Sequence, residues 1–174
     1  TNCEFLENKV TEKDDYSNQG GAIANQCSVL SVVGTTFSSN YALHAGAIYS
    51  YDCSLNTSTA LSDKVAYTYI YNSCFDSNTV GGSAQGSHFR AHGQGRNVIV
   101  NSTFRGGNSG TGGLRLRTGA TCYLVSCTFT ENVSGPYNQS SSMYVYNSIS
   151  YGNTTSKYNY YANAGIYLIK KSAL

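Results

Sequence analysis

The chain has 174 residues, enough for one domain with a single continuous core, but only 11% are charged and the net charge is +2. So slight a positive balance excludes the dense basic surface that nucleic acid requires, and no apolar run approaches the roughly 18 residues of a membrane-spanning helix. Gly, Ser, Asn, Thr and 16 Tyr take the place of charge, which suits an extracellular all-β chain kept in solution by neutral hydrogen-bonding groups.

The elements announce themselves through a repeated turn. Phe5-Leu6-Glu7-Asn8 is followed by Phe37-Ser38-Ser39-Asn40, Phe75-Asp76-Ser77-Asn78 and Phe129-Thr130-Glu131-Asn132. Phe104 with Asn108 and Ile149 with Asn153 read as degenerate copies. The anchors are 32, 38, 29, 25 and 20 residues apart, too uneven for a fixed-period solenoid. Short runs rich in β-branched and aromatic residues precede most of them, as strands would: Ser31-Val32-Val33, Tyr69-Ile70-Tyr71, Val98-Ile99-Val100 and Leu124-Val125. Met143-Tyr144-Val145-Tyr146 takes the same place before Ile149. A second strand follows each anchor after a loop, opened by Gly20-Gly21-Ala22-Ile23 and Ala45-Gly46-Ala47-Ile48. Weaker copies are Gly86-Ser87-His88-Phe89, Gly112-Gly113-Leu114 and Ala164-Gly165-Ile166.

In this pattern Phe points inward and stacks on the Phe of the next coil, about 4.8 Å away. Asn tolerates a left-handed turn and can bond amide to amide along the stack. Helical periodicity and the Asn-Gly or Asp-Gly signals of tight hairpins are both missing. The expected fold is all-β: a right-handed parallel β-helix of about six irregular coils, one domain over residues 1–174, with no substantial helix. The pattern runs almost to both termini without a capping element. The expectation is therefore a piece of a longer parent chain, or a unit that stacks end to end into a filament.

Six cysteines, none in Cys-x-x-Cys spacing, speak for an oxidising compartment and against a metal site; no cofactor is expected. Cys27 lies four residues after Ile23 and Cys53 five after Ile48, near one corner of successive coils, so this pair is expected to form a disulfide. Asn56, Asn101, Asn132, Asn138 and Asn153 head glycosylation sequons.

Alternation along a strand gives the candidate binding face. With Ile23, Ile48, Phe89, Leu114 and Ile166 inward, the outward side chains stack as Tyr49 and Tyr51, Arg90 and His92, Arg115 and Arg117, with Tyr167 beyond. Tyr and Arg are enriched in binding surfaces, flat rings suit sugars, and guanidinium forks suit carboxylates or sulfates. The expected ligand is a glycan or a protein. No catalytic residue is assigned. Five of the nine acidic residues sit within the first fifteen positions, as a solvated loop. Asp52 and Asp76 lie in adjacent coils and could meet His44, His88 or Arg90, but nothing places them together. The three histidines, with no regular spacing, read as ordinary surface residues.

The paired Gly-Gly-Ala-Ile and Phe-x-x-Asn repeats, from Phe5 to about Ile166, resemble the passenger repeat of chlamydial polymorphic outer membrane proteins and, more broadly, pectate-lyase-like β-helices. The first resemblance implies surface exposure and adhesion. The second admits polysaccharide lyases and glycosidases. The expected function is non-enzymatic adhesion or structural assembly outside the cell or on its surface, with a carbohydrate-active enzyme as the alternative.

Overall fold

A computed structural model describes residues 1–11, 19–53, 64–81, 85–109, 111–154 and 160–171. They form a parallel β-solenoid of about five turns, one fewer than the repeat count suggests. Three columns of strands run along it. The first flank is β2 (Ile23–Gln26), β6 (Ile48–Tyr51), β10 (Phe89–His92) and β13 (Leu114–Arg117). The second is β3 (Val29–Val33), β7 (Tyr67–Tyr71), β11 (Arg96–Val100) and β14 (Thr121–Val125). The third is β1 (Glu4–Leu6), β4 (Thr36–Ser38), β8 (Cys74–Asp76), β12 (Thr103–Arg105), β15 (Thr128–Thr130) and β17 (Ile149–Tyr151). The long strand β16 (Tyr137–Tyr146) joins the two flanks by pairing with β13 and β14, and β18 (Tyr161–Lys170) lies against it. A minor ladder pairs β5 (Tyr41–Ala42) with β9 (Thr79–Val80). These pairings are parallel, so equivalent residues of successive coils sit one above another.

The Phe residues form the central stack. Rings of Phe5, Phe37, Phe75, Phe104 and Phe129 follow at centroid spacings of 4.9, 4.7, 4.6 and 4.7 Å, stacked with their planes nearly parallel. The Phe stack ends there, although the column continues with β17. Opposite Phe129 stands Ser150, not Ile149, which is 44% exposed. The last anchor is therefore Ser150-x-x-Asn153, because Asn153 must reach the backbone of Asn132, 3.1 Å away. Apolar columns from the flanks close the interior: Ile48, Phe89 and Leu114 on one, Ile70, Ile99, Leu124 and Val145 on the other.

The Asn of the motif does not adopt the left-handed backbone. The residue before it does: Glu7, Ser39, Ser77, Gly106, Glu131 and Gly152 have φ between 52° and 71°. This corner turns one residue early and leaves the Asn side chain free to point inward. Asn8 Nδ2 donates to Asn40 Oδ1 and Asn40 Nδ2 to Asn78 Oδ1, each at 2.8 Å. Asn72, Asn101 and Asn147 do take positive φ at another corner, where the amide of Asn101 bonds that of Asn72 at 2.8 Å on the surface. The glycine pair acts by close approach: a Cβ on Gly46 would lie 2.6 Å from the Thr79 and Ser87 carbonyl oxygens.

The Cys27–Cys53 disulfide forms as expected, with Cα atoms 5.5 Å apart. Cys3, Cys74, Cys122 and Cys127 are free. Cys127 stands in a ladder otherwise made of hydroxyls, in which Ser73 Oγ accepts from Thr35 N, Ser102 Oγ from Ser73 N, and Ser148 Oγ from Cys127 N. Burial pushes its thiol up to about 11 and holds Cys122 well above the ordinary range.

Phe75→Ala should cost about 3–5 kcal/mol in a denaturant titration, because the rings above and below cannot close on the gap. Non-reducing peptide mapping should find the Cys27–Cys53 link, and native alkylation should modify Cys3 while sparing Cys122 and Cys127.

Candidate functional site

The flank registers confirm most of the stacking inferred from sequence. Tyr49 pairs with Arg90 and Arg90 with Arg115; Tyr51 pairs with His92 and His92 with Arg117. The columns then continue through Tyr137 and Gln139 of β16, which alternation alone had not reached. Tyr167 does not belong to them. It pairs with Met143 in the second flank, packs inward against the core, and leaves Ile166 on the surface at 56% exposure. The segment Ala164-Gly165-Ile166 resembles the Gly-Gly-Ala-Ile copies in residue type but not in register. Here β18 follows β16 around both flanks, so Ile166 falls beside Ser142 and not in the Leu114 column.

The face is also less open than expected. Tyr49, Arg90 and Arg115 are 3%, 2% and 5% exposed, while Tyr51, His92 and Arg117 are half-buried. Stacked neighbours supply much of this cover. Arg90 Cζ sits 5.0 Å from the centre of the Tyr49 ring, and Tyr51 stacks on the same ring at 4.8 Å. The flat faces of Tyr49 are thus occupied by protein, so the ring is not a platform for a sugar. Its hydroxyl meets His92 Nδ1 at 3.0 Å. Arg115 Cζ lies 5.7 Å from the Tyr137 ring, and its Nη2 donates to Gln139 Oε1 at 2.6 Å. Arg90 Nη1 reaches His44 Nδ1 at 2.9 Å and also Gln85 Oε1.

The electrostatics follow from burial. Desolvation, then repulsion from Arg90 and Arg117, brings the Arg115 guanidinium down to about 10. Desolvation likewise lowers Arg90, and it drops His92 to about 4 with help from the arginines. His92 is therefore neutral at physiological pH and accepts or donates through its ring as Tyr49 requires.

The two aspartates do not come together. Asp76 lies on β8 of the Phe sheet, bound through both oxygens to Arg105 at 2.9 and 3.1 Å, and Glu131 approaches the same guanidinium at 4.0 Å. This contact with Arg105 holds the Asp76 carboxyl below its ordinary range. Asp52 follows β6 on a different sheet, where its carboxylate accepts from the Gln94 backbone N–H. His44 meets Arg90.

His88 is not a surface residue. It is fully buried, and it fills a break in the asparagine ladder. The degenerate anchor at Phe104 places Gly107, not Asn108, at the ladder position, where Gly107 N donates to Asn132 Oδ1 at 2.9 Å. The imidazole bridges the gap: Asn78 Nδ2 donates to His88 Nδ1 at 3.1 Å, and His88 Nε2 donates to Asn132 Oδ1 at 2.9 Å. A Cβ on Gly107 would lie 2.8 Å from His88 Nε2, and one on Gly113 would lie 3.1 Å from His88 Cδ2. Both glycines make room for the ring. The signal was present in sequence as two coincident departures, His for Ala in Gly86-Ser87-His88-Phe89 and Gly for Asn after Phe104.

Among the sequons, Asn101 is exposed, whereas Asn132, Asn138 and Asn153 are buried. Asn132 and Asn153 belong to the ladder and Asn138 donates to the Ser141 and Ile166 carbonyls, so a glycan on any of the three is incompatible with this fold. Asn56 lies outside the described residues. No cluster of His, Cys, Asp and Glu suited to a metal occurs among the described residues. No protein-family model, curated protein or solved structure matches the chain.

Burial drops His88 to about 4, against 6.5 in the unfolded chain, so the unfolded state takes up its proton first. Stability from this residue is fully present above about 6.5 and is lost as pH falls from there toward 4, approaching about tenfold in the folding constant per pH unit. His92 adds to the loss in the same window. Denaturant midpoints measured from pH 7 to pH 4 should fall steeply, and less steeply in His88→Gln.

Proposed function

We propose that this β-solenoid is a non-enzymatic protein of adhesion or structural assembly, secreted or held at a cell surface, and that it engages a glycan or protein ligand through its first flank. The observation that carries the reading is the set of outward columns, Tyr49–Arg90–Arg115–Tyr137 beside Tyr51–His92–Arg117–Gln139, which the coil register holds in fixed positions. Rigid strands position such groups better than loops do, and Arg and Tyr are the side chains that most often dominate binding energy. The half-buried rim of Tyr51, His92 and Arg117 offers the first contacts, with the buried arginines beneath.

Three further features support the reading. The Phe-x-x-Asn and Gly-Gly-Ala-Ile repeats resemble those of surface-displayed passenger β-helices. The Cys27–Cys53 disulfide suits an oxidising compartment. The separation of Asp52 from Asp76 on different sheets favours binding over a lyase or glycosidase, whose chemistry needs carboxylates flanking one bond.

A mixed glycan and extracellular-protein array should identify the ligand class. Arg117→Ser should then weaken that binding about tenfold or more, the loss typical of a central Arg, with the denaturant midpoint unchanged. Unaltered binding by both Arg117→Ser and Tyr51→Ser would place the ligand elsewhere on the rod.

A further inference from the structure

Parallel stacking sets Arg90 directly beside Arg115, two like charges on adjacent strands about 4.8 Å apart. Both side chains are at least nine-tenths buried. Tyr49 flanks the pair on one side and Tyr137 on the other, so the two guanidiniums lie between two rings. Among the described residues each is tethered by neutral groups, Arg90 by His44 and Gln85, Arg115 by Gln139. Three donor nitrogens remain unused: Nε of Arg90, and Nε and Nη1 of Arg115 have no hydrogen-bond partner.

Such an arrangement is costly for a protein left to itself. A buried charge without a counter-charge is destabilising, and an unmade charged hydrogen bond adds its own desolvation penalty. Among the described residues, the cations that act on the pair are the arginines themselves and Arg117, and the neighbouring tyrosines are neutral phenols. Asp52, a described carboxylate that follows β6 on the same flank, acts on His92. The missing component is one that brings negative charge and several acceptor oxygens at once. His44, Gln85, Tyr137 and Gln139 are only half-buried, so the pair lies one side chain below the surface.

We propose that Arg90 and Arg115 form a built receptor for a single oxyanion group, the carboxylate or sulfate ester of an acidic glycan. The inference rests on the glycan-binding reading above and narrows it to acidic sugars. A carboxylate or sulfate satisfies the three free donors through charge-assisted bonds, cancels the repulsion between the guanidiniums, and occupies the position that the neutral amides cannot neutralise. The tyrosines enclose the site and keep water from competing. A neutral sugar meets none of these needs.

The test uses the intact chain. Thermal unfolding is recorded in sodium sulfate, sodium acetate and sodium chloride at equal ionic strength, and calorimetric titrations use a hyaluronan tetrasaccharide, a chondroitin sulfate tetrasaccharide and neutral chitotetraose. The expected result is a Tm raised by sulfate or acetate over chloride, and binding of an acidic tetrasaccharide at least tenfold tighter than chitotetraose. Preference between hyaluronan and chondroitin sulfate tells a carboxylate source from a sulfate source. Arg115→Met should raise the Tm in chloride, since it removes the unpaired charge, and should abolish the anion-dependent shift. Arg115→Lys keeps the charge and should retain only part of the shift. Arg105→Gln, on the Phe sheet, should behave as the parent chain. Equal Tm in all three salts, or an anion shift that survives in Arg115→Met, overturns the receptor. Equal binding of acidic and neutral tetrasaccharides overturns it while leaving glycan binding intact. An Arg115-dependent anion shift without binding of any tetrasaccharide supports the anion site and removes the glycan.

Discussion

Parallel, in-register pairing makes every side chain of this rod meet its own equivalent one coil away. The backbone spacing fixes that distance near 4.8 Å, and the residue types that can fill a column follow from it. Phe stacks on Phe face to face, Asn bonds to Asn, and Ser hydroxyls accept from the backbone of the coil before. Each column is a repeated self-interaction, so a type that attracts its own kind is stabilised at every step. The disulfide between Cys27 and Cys53 follows the same rule, since near-equivalent corners are the places where two sulfurs come within bonding reach.

Charge is the type that this rule disfavours, and the contrast isolates the Arg90–Arg115 pair. Arg105 resolves the problem on the Phe sheet by standing between Asp76 and Glu131 of neighbouring coils. On the first flank the column has an aromatic ring at each end, but the two arginines remain register neighbours in the middle. Aromatic faces soften a cation's burial without neutralising it. The column thus carries a concentrated positive charge in a molecule whose overall net charge is only +2.

Much of the architecture was legible because the columns are local in motif though distant in chain. Phe5, Phe37, Phe75 and Phe129 declare their stacking by shared neighbours, and the inward–outward parity of Ile48, Phe89 and Leu114 follows from alternation. What escaped the sequence are register choices that depend on a partner coil. Ser150 replaces Ile149 because Asn153 is drawn to Asn132, and Tyr167 turns inward because β18 copies β16 and not β13. Burial was also illegible at Tyr49 and Arg90, whose outward direction says nothing about what lies above them. The burial of His88 is hidden in the sequence for the opposite reason. Its buried role is shared with Gly107 and Gly113, residues of the next coil that reveal their purpose only when stacked against it.

The asparagine ladder has a direction. Asn8, Asn40 and Asn78 each donate an amide N–H toward the coil that follows, and His88 passes the sense on by accepting at Nδ1 and donating at Nε2 to Asn132. The second amide hydrogens lock this orientation, since Nδ2 of Asn40, Asn78 and Asn132 also donates to the Phe5, Phe37 and Phe104 carbonyls. The dipoles therefore add, and each polarises the next. One imidazole tautomer preserves that sum, while the other would set two acceptors facing at one side and two donors at the other. A single proton position on His88 thus keeps the rod's internal line of dipoles a continuous polar axis and not two opposed halves.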